Sequence, residues 1–171
     1  FGELCISDQS RNLRHLFFLH EGSKKSPGAK GKVKKLSRGI TLGAGTMGGG
    51  IAWLMANTDM APIMKDLNKD ALELGLKQAS ANFRGALKRR KISEDTFEKK
   101  MRSISAQTDY RGFKRADLVV EAIVENMDIK KKVFAEVEKE VEKDCLLTSN
   151  TSSLSVQELS LIHISEPTRP L

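Results

Sequence analysis

Residues 38–66 read RGITLGAGTMGGGIAWLMANTDMAPIMKD, and the reading of this stretch decides the fold. A short β-prone run, Arg38 to Leu42, leads directly into a glycine-rich turn, and the apolar residues of IAWLMAN behind it recur at helical spacing. A second short apolar run, Ala61 to Lys65, ends at Asp66. The order is strand, glycine turn, helix, strand. Gly43, Gly45 and Gly48 within it have the spacing GxGxxG, which 13 glycines in 171 residues can produce by chance. What makes the spacing informative is its place between a strand and a helix, with an acid, Asp66, 21 residues after Gly45 at the end of the next strand.

Each residue then has a physical task. Gly43 allows a tight turn, Gly45 lets the backbone approach a pyrophosphate with no Cβ in the way, and Gly48 lets the helix pack close to the strand. A pyrophosphate would rest on the helix N-terminus, where unpaired N–H groups, including those of Thr46 and Met47, point outward. Asp66 would accept hydrogen bonds from the adenosine ribose hydroxyls, and its charge would repel a 2′-phosphate. NAD is therefore favoured over NADP, although Lys65 and Lys69 beside Asp66 soften the discrimination. Two other readings of the loop stand beside this one. The glycines could serve a tight turn without a ligand, or the site could take another nucleoside, including the methyl donor of methyltransferases.

Outward from the loop, strands and helices continue to alternate. Leu72, Leu76, Ala79, Phe83 and Leu87 mark one face of a long helix, Ser93 is a helix start, and Ile104 to Tyr110 is a weak strand. After Asp117, LVVEAIVEN is a near-continuous β-branched run suited to a strand buried on both faces of a parallel sheet. Ile129, Val133, Val137 and Val141 then repeat every four residues among Lys and Glu, an amphipathic helix, and Cys145 to Thr148 is a last strand opening into SNTSS. The fold class is α/β, doubly wound with a mostly parallel sheet of the Rossmann type. Residues 1–22 carry a weak helical pattern through Leu13, Leu16, Phe17 and His20, capped at Ser7 or Asp8, and 23–35 is a basic Gly/Ser/Pro/Lys linker. The nucleotide-binding domain is expected at 36–160.

Composition excludes several classes. Hydrophobic residues make up 39% and charged residues 30%, with mean hydropathy −0.36, enough apolar material for one core. No apolar run approaches the roughly 20 residues of a membrane span. Cys5 and Cys145 stand 140 positions apart with no Cys/His cluster, so neither a disulfide framework nor a metal site is indicated, and a reducing compartment is expected. A net charge of +7 admits a nucleic-acid binder. Aromatic residues are only 5% and do not interleave with Arg as stacking platforms do, so no nucleic-acid partner is expected.

Four blocks, GAGTMGGGIA, MKDL, DLVVEAIVEN and SNTSSL, in this order over residues 43–154, resemble the NAD-binding domain of L-3-hydroxyacyl-CoA dehydrogenases. FGELCISDQSRNLRHLFFL and TDYRGFKRADLVVEA resemble the multifunctional fatty-acid oxidation alpha subunit, the first being similar to the tail of its enoyl-CoA hydratase/isomerase part. The resemblance implies a fragment of a β-oxidation enzyme that oxidises L-3-hydroxyacyl-CoA to 3-ketoacyl-CoA. It further implies NAD as cofactor, an acyl-CoA substrate and a thiolase partner subunit. The compartment expected is the bacterial cytoplasm, with mitochondrial or peroxisomal locations as alternatives.

Carried over by position, the resemblance sets Glu125 and Lys130 near the nicotinamide half of NAD, and makes Ser152 the catalytic serine that contacts nicotinamide and substrate hydroxyl. Both Glu125 and Ser152 follow strand C-termini, where open α/β sheets bind ligands. Taken from the residues alone, Glu125 could equally cap a helix and residues 149–153 could form an ordinary polar turn. The family's histidine base, in an HFFNP-like segment, has no counterpart in the chain. LIHISEPTRPL departs from the family pattern, so 161–171 is expected to be a non-native tail and His163 no substitute base. Two rival functions remain, a nucleotide-binding module without turnover and a basic nucleic-acid binder.

Overall fold

The computed structural model describes residues 2–24 and 35–159. The chain forms two compact units, residues 1–35 and 36–171. In the first, α1 (Gly2–Ile6) is followed by α2 (Asp8–Lys24), and the Ser7 hydroxyl accepts the Ser10 N–H at 3.2 Å to start the second helix. Its expected apolar face, Leu13, Leu16 and Phe17, is exposed. The helix runs two residues into the stretch read as linker, of which 25–34 lies outside the described residues. So do the tail 161–171 and His163.

The second unit is built around β1 (Arg38–Leu42), whose last four residues are buried. It continues through α3 (Thr46–Asn57), β2 (Ala61–Lys65), α4 (Lys69–Lys88), α5 (Glu94–Arg102) and β3 (Ser105–Gln107). A 3-10 turn (Phe113–Arg115) precedes β4 (Leu118–Glu121), α6 (Met127–Glu140), β5 (Leu146–Ser149) and α7 (Val156–Leu159). The strands are all parallel, in the order β3-β2-β1-β4-β5, with Ile40 opposite Ile63 on one side and Val119 on the other. The chain therefore winds outward from β1 in one direction, returns, and winds outward in the other, so the strand order reverses between β1 and β4. No helix among the described residues is long and apolar enough to cross a membrane.

Helix starts follow the side chains that can satisfy them. Asn68 accepts from the Asp70 N–H at 2.8 Å, Ser93 from Thr96 at 3.2 Å and Asn126 from Ile129 at 3.1 Å. One sheet face packs Met64 against Ala52, Ala56, Ala79 and Phe83 of α3 and α4. The other packs Ile40, Leu42 and Val119 against Phe113 and Val137, from the 3-10 turn and α6.

Two strands differ from their sequence reading. The run LVVEAIVEN is extended only as far as Glu121, and it is not buried on both faces. Val119 and Glu121 are buried, whereas Leu118 and Val120 on the opposite face are half-exposed. The Glu121 carboxylate then turns the chain by accepting the Ile123 N–H at 2.7 Å. The segment Ile104 to Tyr110 keeps only the three residues of β3, because Gln107 Nε2 donates to the Asp109 and Arg111 carbonyls and bends the backbone out of the sheet.

The end of β1 is the most crowded point. Gly43 has φ +93°, a left-handed conformation, and a Cβ there would lie 2.5 Å from the Ala122 carbonyl oxygen. At Gly48 a Cβ would lie 1.9 Å from the Gly43 carbonyl oxygen, while at Gly50, two residues further along α3, it would meet nothing within 4 Å. Thermal or urea denaturation should therefore give opposite signs for two identical substitutions. Gly48→Ala is expected to lose about 1–3 kcal/mol through overpacking. Gly50→Ala is expected to gain up to about 1 kcal/mol from helix propensity. Equal effects at the two positions would refute the packing described.

Candidate cofactor site

The loops that leave the C-terminal ends of β1, β2 and β4 meet at the point of strand reversal. The Gly43 N–H donates to the Lys65 carbonyl at 2.8 Å and the Ala122 N–H to the Leu42 carbonyl at 2.8 Å, so backbone hydrogen bonds tie the three ends together. Gly45 is the residue before the first turn of α3, and no side chain caps that helix. A Cβ at Gly45 would meet no protein atom within 4 Å. Gly43 and Gly48 are thus required by the protein's own packing, whereas Gly45 leaves open space over amides that lack partners. Thr46 and Met47 are exposed at that turn. Room and unpaired donors together fit a pyrophosphate.

Asp66 closes the other side. Its Oδ2 accepts the Ala44 N–H at 2.8 Å and its Oδ1 the Asn68 N–H at 2.9 Å, which fixes the carboxylate against the glycine loop. Each oxygen keeps a further lone pair for an incoming hydroxyl. Between these groups lies a cleft of about 560 Å3, to which Leu67, Val124 and Ile129 present exposed apolar side chains. Such walls suit a flat, weakly polar base.

A second group of predicted residues gathers at the ends of β4 and β5. Glu121 is 0% exposed and Lys130 1% exposed, and they form an ion pair at 2.6 Å. The Lys130 ammonium also reaches Glu125 Oε2 at 3.1 Å. Glu125 Oε1 accepts hydrogen bonds from the Thr151 hydroxyl and, at 2.9 Å, from the Ser153 hydroxyl. These donors, Thr151 first and then Lys130, pull the Glu125 carboxyl down to about 2 against a smaller opposing effect of burial. Ser152 is exposed in the turn between the two residues that hold Glu125.

Gly43, Gly45 and Asp66 therefore share one cleft, with α3 starting directly after Gly45 at its edge, and Glu125, Lys130 and Ser152 share a neighbouring cluster. Lys130 lies beneath the surface with both carboxylates around it. Sequence reading missed Glu121 and the hydroxyls of Ser149, Thr151 and Ser153. Ser149 donates to Glu121 Oε2 at 2.5 Å. The available signal was an acid inside an apolar strand, LVVEA, with a lysine at the first turns of the next helix.

Comparison with known proteins agrees with this architecture. Residues 40–169 match the family described as 3-hydroxyacyl-CoA dehydrogenase, NAD binding domain. The glyoxysomal fatty acid beta-oxidation multifunctional protein MFP-a of Brassica napus is 35% identical over 160 residues, 92% of this chain and 22% of that protein. Among solved structures, 3-hydroxybutyryl-CoA dehydrogenase of Escherichia coli K12 aligns with TM-score 0.69 and 30% identity over 74% of this chain and 27% of its own. FadB2 of M. tuberculosis aligns with TM-score 0.70 and 27% identity, over 74% of this chain and 45% of its own. The chain thus spans less than half the length of these relatives. With a family match running over most of its length, on a parallel sheet that carries its glycine turn at the point of strand reversal, this chain belongs to the 3-hydroxyacyl-CoA dehydrogenase NAD-binding-domain family.

Proposed function

We propose that the chain is the NAD-binding part of a dehydrogenase that oxidises L-3-hydroxyacyl-CoA to 3-ketoacyl-CoA in fatty-acid β-oxidation. The observation that carries this reading is the open space at Gly45, over an uncapped helix and beside the fixed carboxylate of Asp66. In it, the amides of Thr46 and Met47 hold the pyrophosphate, Asp66 accepts the ribose hydroxyls, and Leu67, Val124 and Ile129 cover the adenine. NAD, when bound, supplies the acceptor for the hydride that leaves C3 of the substrate.

The cluster at β4 and β5 serves the other half of the cofactor. Ser152 sets its hydroxyl between the nicotinamide and the substrate hydroxyl, and Glu125 keeps its charge down to about pH 2. Lys130, at 1% exposure, holds Glu125 in place beneath the nicotinamide half. The resemblance implies a histidine as proton acceptor, and neither His15 nor His20, both on α2, lies in the segment pattern it implies. An acyl-CoA substrate is supported by the substrate named for the Escherichia coli neighbour, and a thiolase partner by the sequence resemblance alone. Of the compartments expected from sequence, the glyoxysomal location of the Brassica napus relative supports the peroxisomal one.

The cofactor assignment has a direct test. Fluorescence titration of the 171-residue chain should show NADH bound more tightly than NADPH, and Gly45→Val should abolish binding by filling the approach to the α3 amides. Equal affinity for the two cofactors would remove the role given to Asp66. For Ser152, substitution by alanine in the full-length dehydrogenase should lower kcat/KM by roughly 3- to 100-fold, since one hydrogen bond that strengthens with developing charge is lost. NADH affinity should change far less. Unchanged kinetics with a lowered melting temperature would make Ser152 part of a structural turn.

A further inference from the structure

Lys65 stands immediately before Asp66 in sequence, and an ammonium next to the ribose-binding acid is what a 2′-phosphate needs. Its position argues otherwise. Lys65 is 6% exposed, and as the last residue of β2 it shares a sheet face with Ile63, on the side covered by Phe113 and α6. Its Nζ donates to the Tyr110 hydroxyl at 3.3 Å and lies 4.5 Å from the centroid of the same ring. That ring is fixed edge-on against the fully buried Phe113, with centroids 5.1 Å apart at 88°. The Tyr110 hydroxyl in turn donates to Glu136 Oε2 on α6 at 2.5 Å. Ammonium, phenol and carboxylate thus form a chain whose two ends, Lys65 and Glu136, line the cleft that Asp66 borders.

We propose that Tyr110 and Glu136 set the cofactor preference of this site by withholding the Lys65 ammonium from the adenosine ribose. The proposal rests on Asp66 being the ribose ligand and adds the reason why an adjacent lysine does not convert the site to NADPH. The lysine's charge is matched by Glu136 through a phenol that donates to the acid and accepts from the ammonium. Burial, and then Glu136, push the Tyr110 hydroxyl well above the usual phenol range, so the relay proton stays in place at working pH. A 2′-phosphate beside Asp66 would meet a carboxylate and, in place of a free ammonium, one already held by Tyr110. The other cation lining the cleft is the exposed Lys132 of α6. Breaking the chain should release Lys65 and draw phosphate towards it.

The test is fluorescence titration of the full 171-residue chain with NADH and with NADPH, for the wild type and for Glu136→Gln, Tyr110→Phe and Glu138→Gln. Glu136→Gln should lower the ratio of NADPH Kd to NADH Kd by about three- to tenfold. Tyr110→Phe should move the ratio in the same direction with no change in net charge. Glu138→Gln makes the same charge change elsewhere on α6 and should leave the ratio where it was. Adding Lys65→Met to Glu136→Gln should cancel the gain, and adding Lys132→Ala should not. Circular dichroism and the fluorescence of the single tryptophan, Trp53, verify that each variant is folded. An unmoved ratio in both Glu136→Gln and Tyr110→Phe, with the wild type still selecting NADH, overturns this inference alone. An equal shift in Glu138→Gln overturns it in favour of net charge. A wild type that does not discriminate between the cofactors overturns the Asp66 reading and this inference with it.

Discussion

Everything functional in the second unit depends on how closely the backbone packs where β1 ends. Gly43 lies against the Ala122 carbonyl and Gly48 against the Gly43 carbonyl, with no room for a side chain at either residue. This contact brings the start of α3 over the end of the sheet and sets β1, β2 and β4 side by side at their C-terminal ends. Because strand order reverses there, the loops after β1 and β4 diverge to opposite sides of the sheet and leave a cleft between them. The cleft is a result of topology, and the close packing at Gly43 and Gly48 fixes one of its walls.

The neighbouring ion network has a different energetic logic. A pair as buried as Glu121 and Lys130 loses more hydration than an exposed pair and gains little net stability over apolar residues of the same shape. It is held here by complete satisfaction. The two Glu121 carboxylate oxygens accept from the Ile123 amide, the Ser149 hydroxyl and the Lys130 ammonium, and the same ammonium reaches outward to Glu125. The buried end anchors β4, β5 and α6 to one another, and the exposed end delivers an ionised carboxylate to the surface beside Ser152. Removing Lys130 would leave a buried carboxylate uncompensated, so the network breaks as a unit.

The alternation of elements was legible because each carried its own period. The buried face of α4 through Leu72, Ala79 and Phe83, the Ser93 cap and the glycine turn all act locally, over a few residues. Gly43, Gly45 and Asp66 were legible for the same reason, since a fixed loop followed by the next strand determines where they meet. Tertiary partners were not. Glu121 ends β4 early because its carboxylate turns the backbone, an effect invisible in a β-branched run. Lys65 reads in sequence as a cation available to ligand, and only the packing of Tyr110 and Glu136, from elements 45 and 71 positions away, shows it engaged. The same holds for Lys130, whose burial depends on a strand nine residues earlier.

The central claim is that NAD occupies the cleft over the α3 N-terminus. Residue-resolved NMR of the 15N-labelled 171-residue chain during NADH titration tests it most directly. The account predicts saturable shifts concentrated at the amides of Ala44 to Met47, Leu67 and Val124, with the edge strand Ser105 to Gln107 unmoved. Absence of saturable shifts, or shifts centred on β3 or on α2 with the glycine loop silent, would contradict it.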